Sequence, residues 1–380
     1  MPRLLTALIL VMALASCHRH ESPVKDKPAE PVPMTVLVYM AANTNLNDAS
    51  DLNEMLNAAR GGALSARGRV MVYHDNGRRQ RLMELTPDSF ATVVQFPTDR
   101  PATDASRLRE VIDATRSAAP ADRFGLVLWS HATGWVGTDS PSQSYAPQLR
   151  SFGSADRSGL QMDIPDLGAA LGTGEFEFIY FDCCLMMGAE VVYELRHAAR
   201  YLCGSVTETP GRGMPYDRSL PLLLEGTEKS LAANARLQLE EYGRDTYDSC
   251  PVSSVVIRTD GIDRLAALTA AIFAEADARP ATGEDDIQHF YYAYNYPRHK
   301  FVDMEQYVAR CSGSPALTEL WRAALDRVVV ANVHSTYIWT IWPIEHHCGL
   351  SIRPTNDSAL GYHRLQWWND VASYLPSANN

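Results

Sequence analysis

The sequence predicts an α/β fold with a mostly parallel central sheet, and three observations carry that prediction. Up to residue 220, apolar β-branched runs alternate with stretches of helical spacing, the order typical of parallel strands joined by right-handed crossover helices. Two of these runs, 125–129 and 178–182, are short, apolar and bounded by glycine or polar residues, as buried parallel strands are. A hydrophobic content of 46% is ordinary for a globular chain of 380 residues.

Each element of this alternation follows from local spacing. Leu52, Met55 and Ala59 recur on one face of the first predicted helix, and Leu108 and Ile112 do so in the second. In chain order, the predicted elements are a strand at 34–41, a helix at 48–60, a strand at 69–74, a hairpin of 81–85 and 92–96, a helix at 104–117, the strand at 125–129, a short helix at 164–171, the strand at 178–182, a helix at 188–199 and a strand at 201–206.

The character of the chain changes after residue 220, where helical spacing predominates. The predicted elements there are a helix at 229–247, a strand at 252–258, a helix at 264–277, a largely helical stretch at 285–333, strands at 337–342 and 349–352, and a closing helix at 361–375. We place a domain boundary near residue 250, which gives a core of 34–250 and a mainly helical C-terminal region of 251–380 with late strands. That region could also add strands to the same sheet.

Residues 1–16 predict a secretory leader that is not part of the fold. Arg3 precedes an apolar stretch too short for a stable membrane helix, and the segment from Leu14 to Cys17 resembles a bacterial lipobox. In proteins with that pattern, cleavage precedes the cysteine and its thiol is lipidated; an ordinary signal peptide ending in cysteine is the alternative. The proline-rich residues 17–33 would form a tether, and the location would be the bacterial cell envelope, on the periplasmic or the outer side.

Composition excludes several other functions. The formal net charge of −11 and the absence of a basic stripe argue against nucleic-acid binding. No segment after the leader is long and apolar enough to cross a membrane, so membrane attachment is expected through the lipid alone. The seven cysteines show no zinc-site spacing, and no metal or other cofactor is predicted from them. An exported protein can form disulfides, but the sequence does not assign any.

The two buried strands at 125–129 and 178–182 are each followed by a reactive side chain. His131 follows the first and Cys184 the second, and in open α/β sheets the ligand crevice lies outside the carboxyl ends of the strands. A thiol and an imidazole are the minimum equipment for covalent acyl transfer. Because Cys184 would begin a helix, orphan N–H groups there are expected to stabilise its thiolate, and N–H groups from Ala132 to Gly134 could hold an oxyanion. The alternative for each side chain is simple packing beside the sheet.

Four segments in the same order resemble motifs of the clostripain-type cysteine peptidases. YMAANTNL at 39–46 is similar to their opening YMAADNNL, and LWSHATGW at 128–135 to their histidine motif HGGGW. DCCLM at 182–186, followed by Glu190, is similar to their nucleophile motif D-A-C-L-M, and 205–216 to a loop of the form SEE…PG.G..Y. The resemblance implies a caspase-like three-layer α/β/α sandwich, a Cys–His dyad and cleavage of peptides after Arg or Lys.

By position, the resemblance makes His131 and Cys184 the dyad and Asp182 the acid of the specificity pocket. Glu208, on a nearby loop, could be a second pocket acid, or simply a loop charge. Ala132 and Thr133 depart from the family's glycines, and a need for positive φ or open space there would impair the site.

Two further features of the family bear on this sequence. Many members are processed between the catalytic residues, and here Arg150 and Arg157 lie in the long segment 136–174 as candidate self-cleavage sites. Some members use calcium; Asp139, Asp156 and Asp163 could contribute, although their spacing matches no recognised loop.

The leading interpretation is therefore an endopeptidase for substrates with a basic residue before the cleaved bond. The alternative is a catalytically impaired, peptidase-like surface lipoprotein that binds peptides or glycans in the same crevice. A third interpretation is an acyl hydrolase for non-peptide substrates.

Overall fold

The strands were located in a computed structural model that describes residues 30–64, 68–136, 152–153, 161–242, 252–276, 286–291, 300–338, 342–354 and 362–374. In chain order the strands are β1 (Val32–Ala41), β2 (Arg69–Asp75), β3 (Gln80–Leu85), β4 (Phe90–Phe96), β5 (Ala121–Trp129), β6 (Phe176–Asp182), β7 (Ala199–Gly204), β8 (Ser253–Arg258), β9 (His289–Tyr291), β10 (Lys300–Asp303), β11 (Val329–His334), β12 (Tyr337–Ile338), β13 (Trp342–Pro343) and β14 (Ser351–Ile352).

Helices connect these strands, and several begin at side chains that cap them. Asp104 accepts a hydrogen bond from the amide of Arg107, and Ser314 accepts one from the amide of Leu317 with Pro315 beginning the helix. The α-helices are α1 (Asp48–Arg60), α2 (Ala105–Ala118), α3 (Ile164–Leu171), α4 (Ala189–Leu195), α5 (Tyr216–Glu225), α6 (Glu228–Tyr242), α7 (Ile262–Glu275), α8 (Met304–Cys311), α9 (Pro315–Val328) and α10 (Gln366–Asp370), with 3₁₀ turns at Thr259–Gly261, Tyr362–Arg364 and Ala372–Tyr374.

The main sheet contains nine of the described strands in the order β11-β8-β7-β6-β5-β1-β2-β3-β4. Its five central strands, β7 to β2 in that order, are all parallel neighbours, and antiparallel pairs extend the sheet at both ends. The predicted mostly parallel α/β architecture is confirmed.

Apolar residues on the two faces of the sheet form two core clusters. One cluster packs α1, α5 and α6 against the even-numbered positions of β1 and β6, such as Val38 and Tyr180. The other packs α2, α3, α4 and the later helices against the opposite face, where Leu128 and Phe181 lie. The sheet is thus covered on both faces, which makes a three-layer α/β/α sandwich and explains the near-continuous apolar strands.

The region after residue 250 continues the main sheet. β8 and β11 join it beyond β7, which is the outcome that the sequence left open, and the division of the chain near residue 250 stays a prediction. The stretch 285–333, predicted to be largely helical, contains α8 and α9 but also β9, β10 and β11. The apolar spacing of 300–303 is too short to separate a strand from a helix; Asp303 ends β10 and caps α8 by accepting from the amide of Gln306.

Two predictions about attachment and processing lie outside the described residues. These are the leader with Cys17 and most of the segment that contains Arg150 and Arg157. Within the described ranges, no helix has the length and apolar character needed to cross a membrane.

Candidate active site

His131 and Cys184 leave neighbouring parallel strands at the same level. β5 and β6 pair in register up to Trp129 opposite Asp182, so His131 and Cys184 each lie two residues beyond the last pair. Because carboxyl ends of parallel strands share one edge of a sheet, both residues lie at the same edge, and their joint action in one crevice stays a prediction. Both side chains are half-buried.

Backbone hydrogen bonds hold the turn that carries Cys184. The amide of Leu185 donates to the carbonyl of Thr207 at 2.9 Å, and the amide of Met187 to the carbonyl of Ser205 at 3.0 Å. Leu185 has a φ of 63°, the only positive φ of a non-glycine residue in the described chain. A side chain in the left-handed region costs about 1–3 kcal/mol and persists only where surrounding contacts impose it. The turn after the sulfur is therefore fixed by the loop 205–209.

The thiol of Cys184 does not lie at a helix N-terminus, where the sequence analysis placed it. α4 begins only at Ala189, so Cys184 lies in the preceding turn and not at a helix N-terminus. Removal from water raises the pKa of the Cys184 thiol to about 11, and the negative charges of Glu208 and Asp182 act in the same direction. Hydrogen bonds from Thr209, with its amide 3.4 Å and its hydroxyl 3.6 Å from the sulfur, oppose that shift. In this conformation the thiol is protonated at neutral pH.

The imidazole of His131 has a partner that the sequence analysis missed. Its Nε2 lies 2.7 Å from Oδ1 of Asn45, in the turn after β1. An amide oxygen only accepts, so this bond places the ring proton on Nε2 and leaves Nδ1 as the basic nitrogen. The carbonyl of His131 also accepts from the amide of Gly153 at 3.0 Å. Both contacts fix the orientation of the ring's segment.

The segment after His131 shows which family glycine this chain needs. Gly134 has a φ of 71°, and a Cβ there would lie 3.0 Å from the carbonyl oxygen of Leu185. Ala132 and Thr133 do not have positive φ. The Ala132 methyl is buried in the core cluster that also contains Leu128, and the Thr133 hydroxyl donates to the carbonyl of Val136. The two departures from glycine therefore fit this backbone without strain.

Asp182 lies on the opposite face of the sheet from Cys183, among polar partners. Its Oδ2 accepts from the amide of Met214 at 3.1 Å and from the hydroxyl of Tyr216 at 2.9 Å. Burial raises the pKa of the Asp182 carboxyl to about 6, and these two hydrogen bonds oppose the rise. The pKa of Cys183, which is buried in the other core cluster, is raised well above its ordinary value by desolvation. Cys183 is thus a packing residue, as predicted, and Asp182 is a buried, ionisable acid.

A second acid that the sequence analysis missed lies beside Asp182. Asp51, in the first turn of α1, is 1% exposed, and its Oδ2 accepts from the indole N–H of Trp129 at 2.7 Å. Both carboxylates face the Cα of Gly213. We call the space lined by Asp51, Asp182, Gly213 and Tyr216 the acidic pocket.

Glu208 is buried on the loop that also supplies Thr209. Its charge raises the pKa of the Cys184 thiol, whereas Asp51 is the acid that acts electrostatically with Asp182. Sequence spacing could not show whether Glu208 or Asp51 is the acid beside Asp182, because the contact between Asp51 and Trp129 joins residues 78 positions apart.

No group of three or more His, Cys, Asp or Glu side chains in the described ranges could hold a metal ion. Of the three aspartates considered for calcium, Asp139 and Asp156 lie outside those ranges, and Asp163 forms an ion pair with Arg364.

A sheet of this topology, with a cysteine and a histidine at neighbouring strand ends, defines a cysteine peptidase of caspase-like fold. The clostripain-family profile matches residues 38–341, and the chain belongs to that family. Comparison with curated proteins gave no match.

Solved structures share this fold over most of the chain. An inactive zymogen of a C11 protease from Parabacteroides distasonis is 26% identical, with a TM-score of 0.76, and the match covers 90% of this chain and 99% of that one. A secreted C11 cysteine protease from Bacteroides thetaiotaomicron, in complex with an irreversible peptide inhibitor, is 24% identical with a TM-score of 0.71, covering 89% and 98%. Another structure of a secreted C11 protease from that organism is 21% identical with a TM-score of 0.77, covering 90% and 100%.

Proposed function

We propose that this clostripain-family peptidase cleaves peptides after Arg or Lys, with Cys184 as nucleophile and His131 as base. The observation that carries the proposal is the buried carboxylate of Asp182, two residues before Cys184 at the same edge of the sheet. A buried carboxylate beside a reactive thiol is suited to a cationic substrate side chain, since the attraction between opposite charges is screened less away from water.

The proposed reaction needs only these groups and water. The imidazole of His131 takes the thiol proton, and the sulfur attacks the scissile carbonyl carbon to give a tetrahedral oxyanion. The oxyanion collapses, the C–N bond breaks, and the imidazolium gives its proton to the leaving amine. Water, deprotonated by the same imidazole, then hydrolyses the thioester and regenerates the thiol. The N–H groups of the Ala132–Gly134 segment and of Cys184 are the proposed oxyanion donors.

The acidic pocket accounts for the proposed specificity. Tyr216 and the amide of Met214 both bond to Oδ2 of Asp182, which fixes the carboxylate and leaves Oδ1 for a ligand. A fixed carboxylate oxygen is a ready acceptor for a guanidinium or ammonium group. Glu208 is a further proposed pocket residue.

Self-processing is the second part of the proposal. The raised pKa of the Cys184 thiol is the feature expected of a latent chain. Cleavage after Arg150 or Arg157 would activate it. Mass spectrometry of the purified protein should give one fragment that ends at Arg150 or Arg157 and one that begins at Ser151 or Ser158. An intact chain in active enzyme, with the same mass in a Cys184→Ala variant, would exclude self-processing.

The cellular location forms the third part of the proposal. We place the chain at the cell envelope through a lipid on Cys17. A Cys17→Ser variant should move from the membrane fraction to the soluble fraction, and an unchanged distribution would contradict the anchor.

The main test uses fluorogenic peptides that end in Arg, Lys or Ala before the reporter. The processed enzyme should cleave the Arg and Lys peptides only, and Cys184→Ala should lose at least about 10⁴-fold in kcat/KM. Cys183→Ala, the matched control on the neighbouring cysteine, should keep its activity. Asp182→Asn should lower kcat/KM for the Arg peptide by about 10²–10³-fold, the effect of removing one partner of a buried charge pair.

Equal turnover by Cys184→Ala, or cleavage of the Ala peptide at the same rate, would contradict the proposal. An impaired, peptide- or glycan-binding relative is the second candidate, favoured by the raised pKa of the Cys184 thiol. An arginyl chloromethyl ketone separates the two, because it should modify Cys184 of a competent peptidase and leave an impaired one unlabelled.

A further inference from the structure

We infer that Asp51 is the second carboxylate of the acidic pocket and that, together with Asp182, it makes the pocket prefer a guanidinium to an ammonium group. This inference rests on the proposed function and names the substrate class of the same site. It is supported by the placement of Asp51, by the close approach of both acids to Gly213 and by the charges around the pair.

Asp51 is placed as a ligand-binding acid would be. It is 1% exposed and bonded on one side only, by the indole N–H of Trp129 to Oδ2 at 2.7 Å. Its Oδ1 is buried and has no hydrogen-bond partner in the described part of the chain. A buried carboxylate oxygen without a partner loses the full hydration of that atom, which is a strong reason to expect a donor from outside.

Both acids face the Cα of Gly213, where a side chain would collide with them. A Cβ on Gly213 would lie 3.1 Å from Oδ2 of Asp51, 3.2 Å from Oδ2 of Asp182 and 3.4 Å from the indole nitrogen of Trp129. Both carboxylates therefore border the same small volume. The hydroxyl of Tyr242 holds this backbone by donating to the carbonyl of Gly213 at 2.9 Å.

The groups that act on Asp51 are acidic or phenolic. Burial, followed by the charge of Asp182, raises the pKa of Asp51 to about 8, while burial raises that of Asp182 to about 6. The titratable groups with an electrostatic effect at Asp51 are Asp182, Glu54 and Asp48, with Tyr216 and Tyr242 coupled to it from α5 and α6. Near neutral pH the pair of acids therefore shares about one proton, which a bound cation would displace.

Two carboxylates suit a guanidinium better than an ammonium group. A guanidinium is planar and carries five N–H donors in a fixed fork, so it can bond to both acids together. An ammonium group is a compact point charge with three donors and gains less from a second, oriented acceptor. Asp51 should therefore matter more for arginyl than for lysyl substrates.

The test compares the processed enzyme with Asp51→Asn and with Glu54→Gln. Asparagine keeps an oxygen for the Trp129 indole and removes only the charge. Glu54 lies one helical turn further on and accepts a hydrogen bond from the amide of Tyr216. Glu54→Gln is therefore the matched control, because it removes one negative charge without changing either acid that faces Gly213. The measurements are kcat/KM for Arg and Lys peptides, and competitive inhibition by agmatine, a guanidinium, and cadaverine, an ammonium, between pH 6 and 8.5.

Asp51→Asn should lower kcat/KM for the Arg peptide by about 10- to 100-fold, the range for a hydrogen bond between charged groups, and the Lys peptide by less. In the wild type, agmatine should bind more tightly as pH rises toward 8, because Asp51 loses its proton. In Asp51→Asn the dependence should end near pH 7, because only Asp182, with a pKa of about 6, still titrates there. Glu54→Gln should keep the Arg-to-Lys ratio and the pH dependence of agmatine binding, with the midpoint moved slightly to lower pH because the charge of Glu54 raises the pKa of Asp51.

The outcomes separate this inference from the proposed function. A wild type that cleaves the Arg peptide, with the Arg-to-Lys ratio and the agmatine pH profile unchanged in Asp51→Asn, would overturn the role of Asp51 alone. A wild type that cleaves neither peptide would overturn the specificity itself and this inference with it. A melting temperature close to that of the wild type would show that Asp51→Asn folds. The pH profile of agmatine binding is a second readout, because it responds to the loss of the carboxylate and not to a partly unfolded protein.

Discussion

The acidic pocket and the thiol–imidazole pair are adjacent, yet they are prepared to different degrees. Around Asp182, the amide of Met214 and the hydroxyl of Tyr216 already fix a carboxylate that is half ionised near pH 6. Around Cys184, burial keeps the thiol protonated, and His131 bonds to Asn45. The same segment, 205–216, supplies hydrogen-bond partners to both Asp182 and Cys184. The difference indicates that substrate binding can be built into the chain before the nucleophile is activated.

The largest expected effect concerns the reactivity of the thiol in the uncleaved chain. Because only the thiolate reacts and the pKa of Cys184 lies near 11, alkylation by iodoacetamide should be slow at pH 7. Its rate should rise about tenfold per pH unit, or about 10³-fold between pH 7 and pH 10. Peptide mapping by mass spectrometry at each pH measures this rate for Cys184 itself.

Cys348 provides an internal control in the same digest. It is also half-buried, and burial together with the charge of Asp303 raises its pKa well above the ordinary value. Its alkylation should be slow at every pH tested. A labelling rate at Cys184 that is already constant below pH 7 would show a preformed thiolate–imidazolium pair. The nucleophile would then be as ready as the acidic pocket, and the contrast between them would be wrong.

The next effect tests the contact between the segment after His131 and the turn that carries Cys184. Gly134→Ala should destabilise the protein by about 1–3 kcal/mol, since alanine at positive φ is strained and its Cβ would press on the carbonyl of Leu185. A displaced Cys184 turn should also reduce kcat/KM by about 10- to 100-fold. Gly174→Ala is the matched control, because Gly174 has a φ of 67° but no atom within 4 Å of a new Cβ.

Chemical denaturation and peptide hydrolysis of both variants measure these effects. Gly174→Ala should lose stability through its backbone alone and keep its activity. If Gly134→Ala matches Gly174→Ala in both measurements, the contact with Leu185 does not position the nucleophile.

Much of the fold could be predicted from local pattern. α1 and α3 begin and end where the sequence placed them, because their apolar faces and flanking turns are unambiguous. α5 was not predicted, since Pro221 lies inside it and proline argues against a helix interior. The short strands β9 and β10 have no pattern of their own and exist because they pair with each other and with β14.

The site could be predicted only in part, and for a related reason. His131, Asp182 and Cys184 follow buried strands, so their position in the chain places them at the crevice. Asn45 and Asp51 lie in a polar turn and in the first turn of a helix, where such residues are ordinary. Their contacts with His131 and Trp129 span 86 and 78 positions, and only the folded sheet brings them together.

The smallest expected effect concerns the hydrogen bond between Asn45 and the imidazole of His131. Asn45→Ala should lower kcat/KM by about tenfold, because one hydrogen bond of about 0.5–1.5 kcal/mol no longer orients the His131 ring. Asn47→Ala is the control, since Asn47 precedes α1 but makes no side-chain capping bond. Asn45→Asp should keep the bond and add a negative charge that favours the imidazolium, so the acidic limb of the kcat/KM profile should move to higher pH. If Asn45→Ala matches Asn47→Ala and the limb stays in place in Asn45→Asp, the bond between Asn45 and His131 belongs to the latent chain only and is broken in the active enzyme.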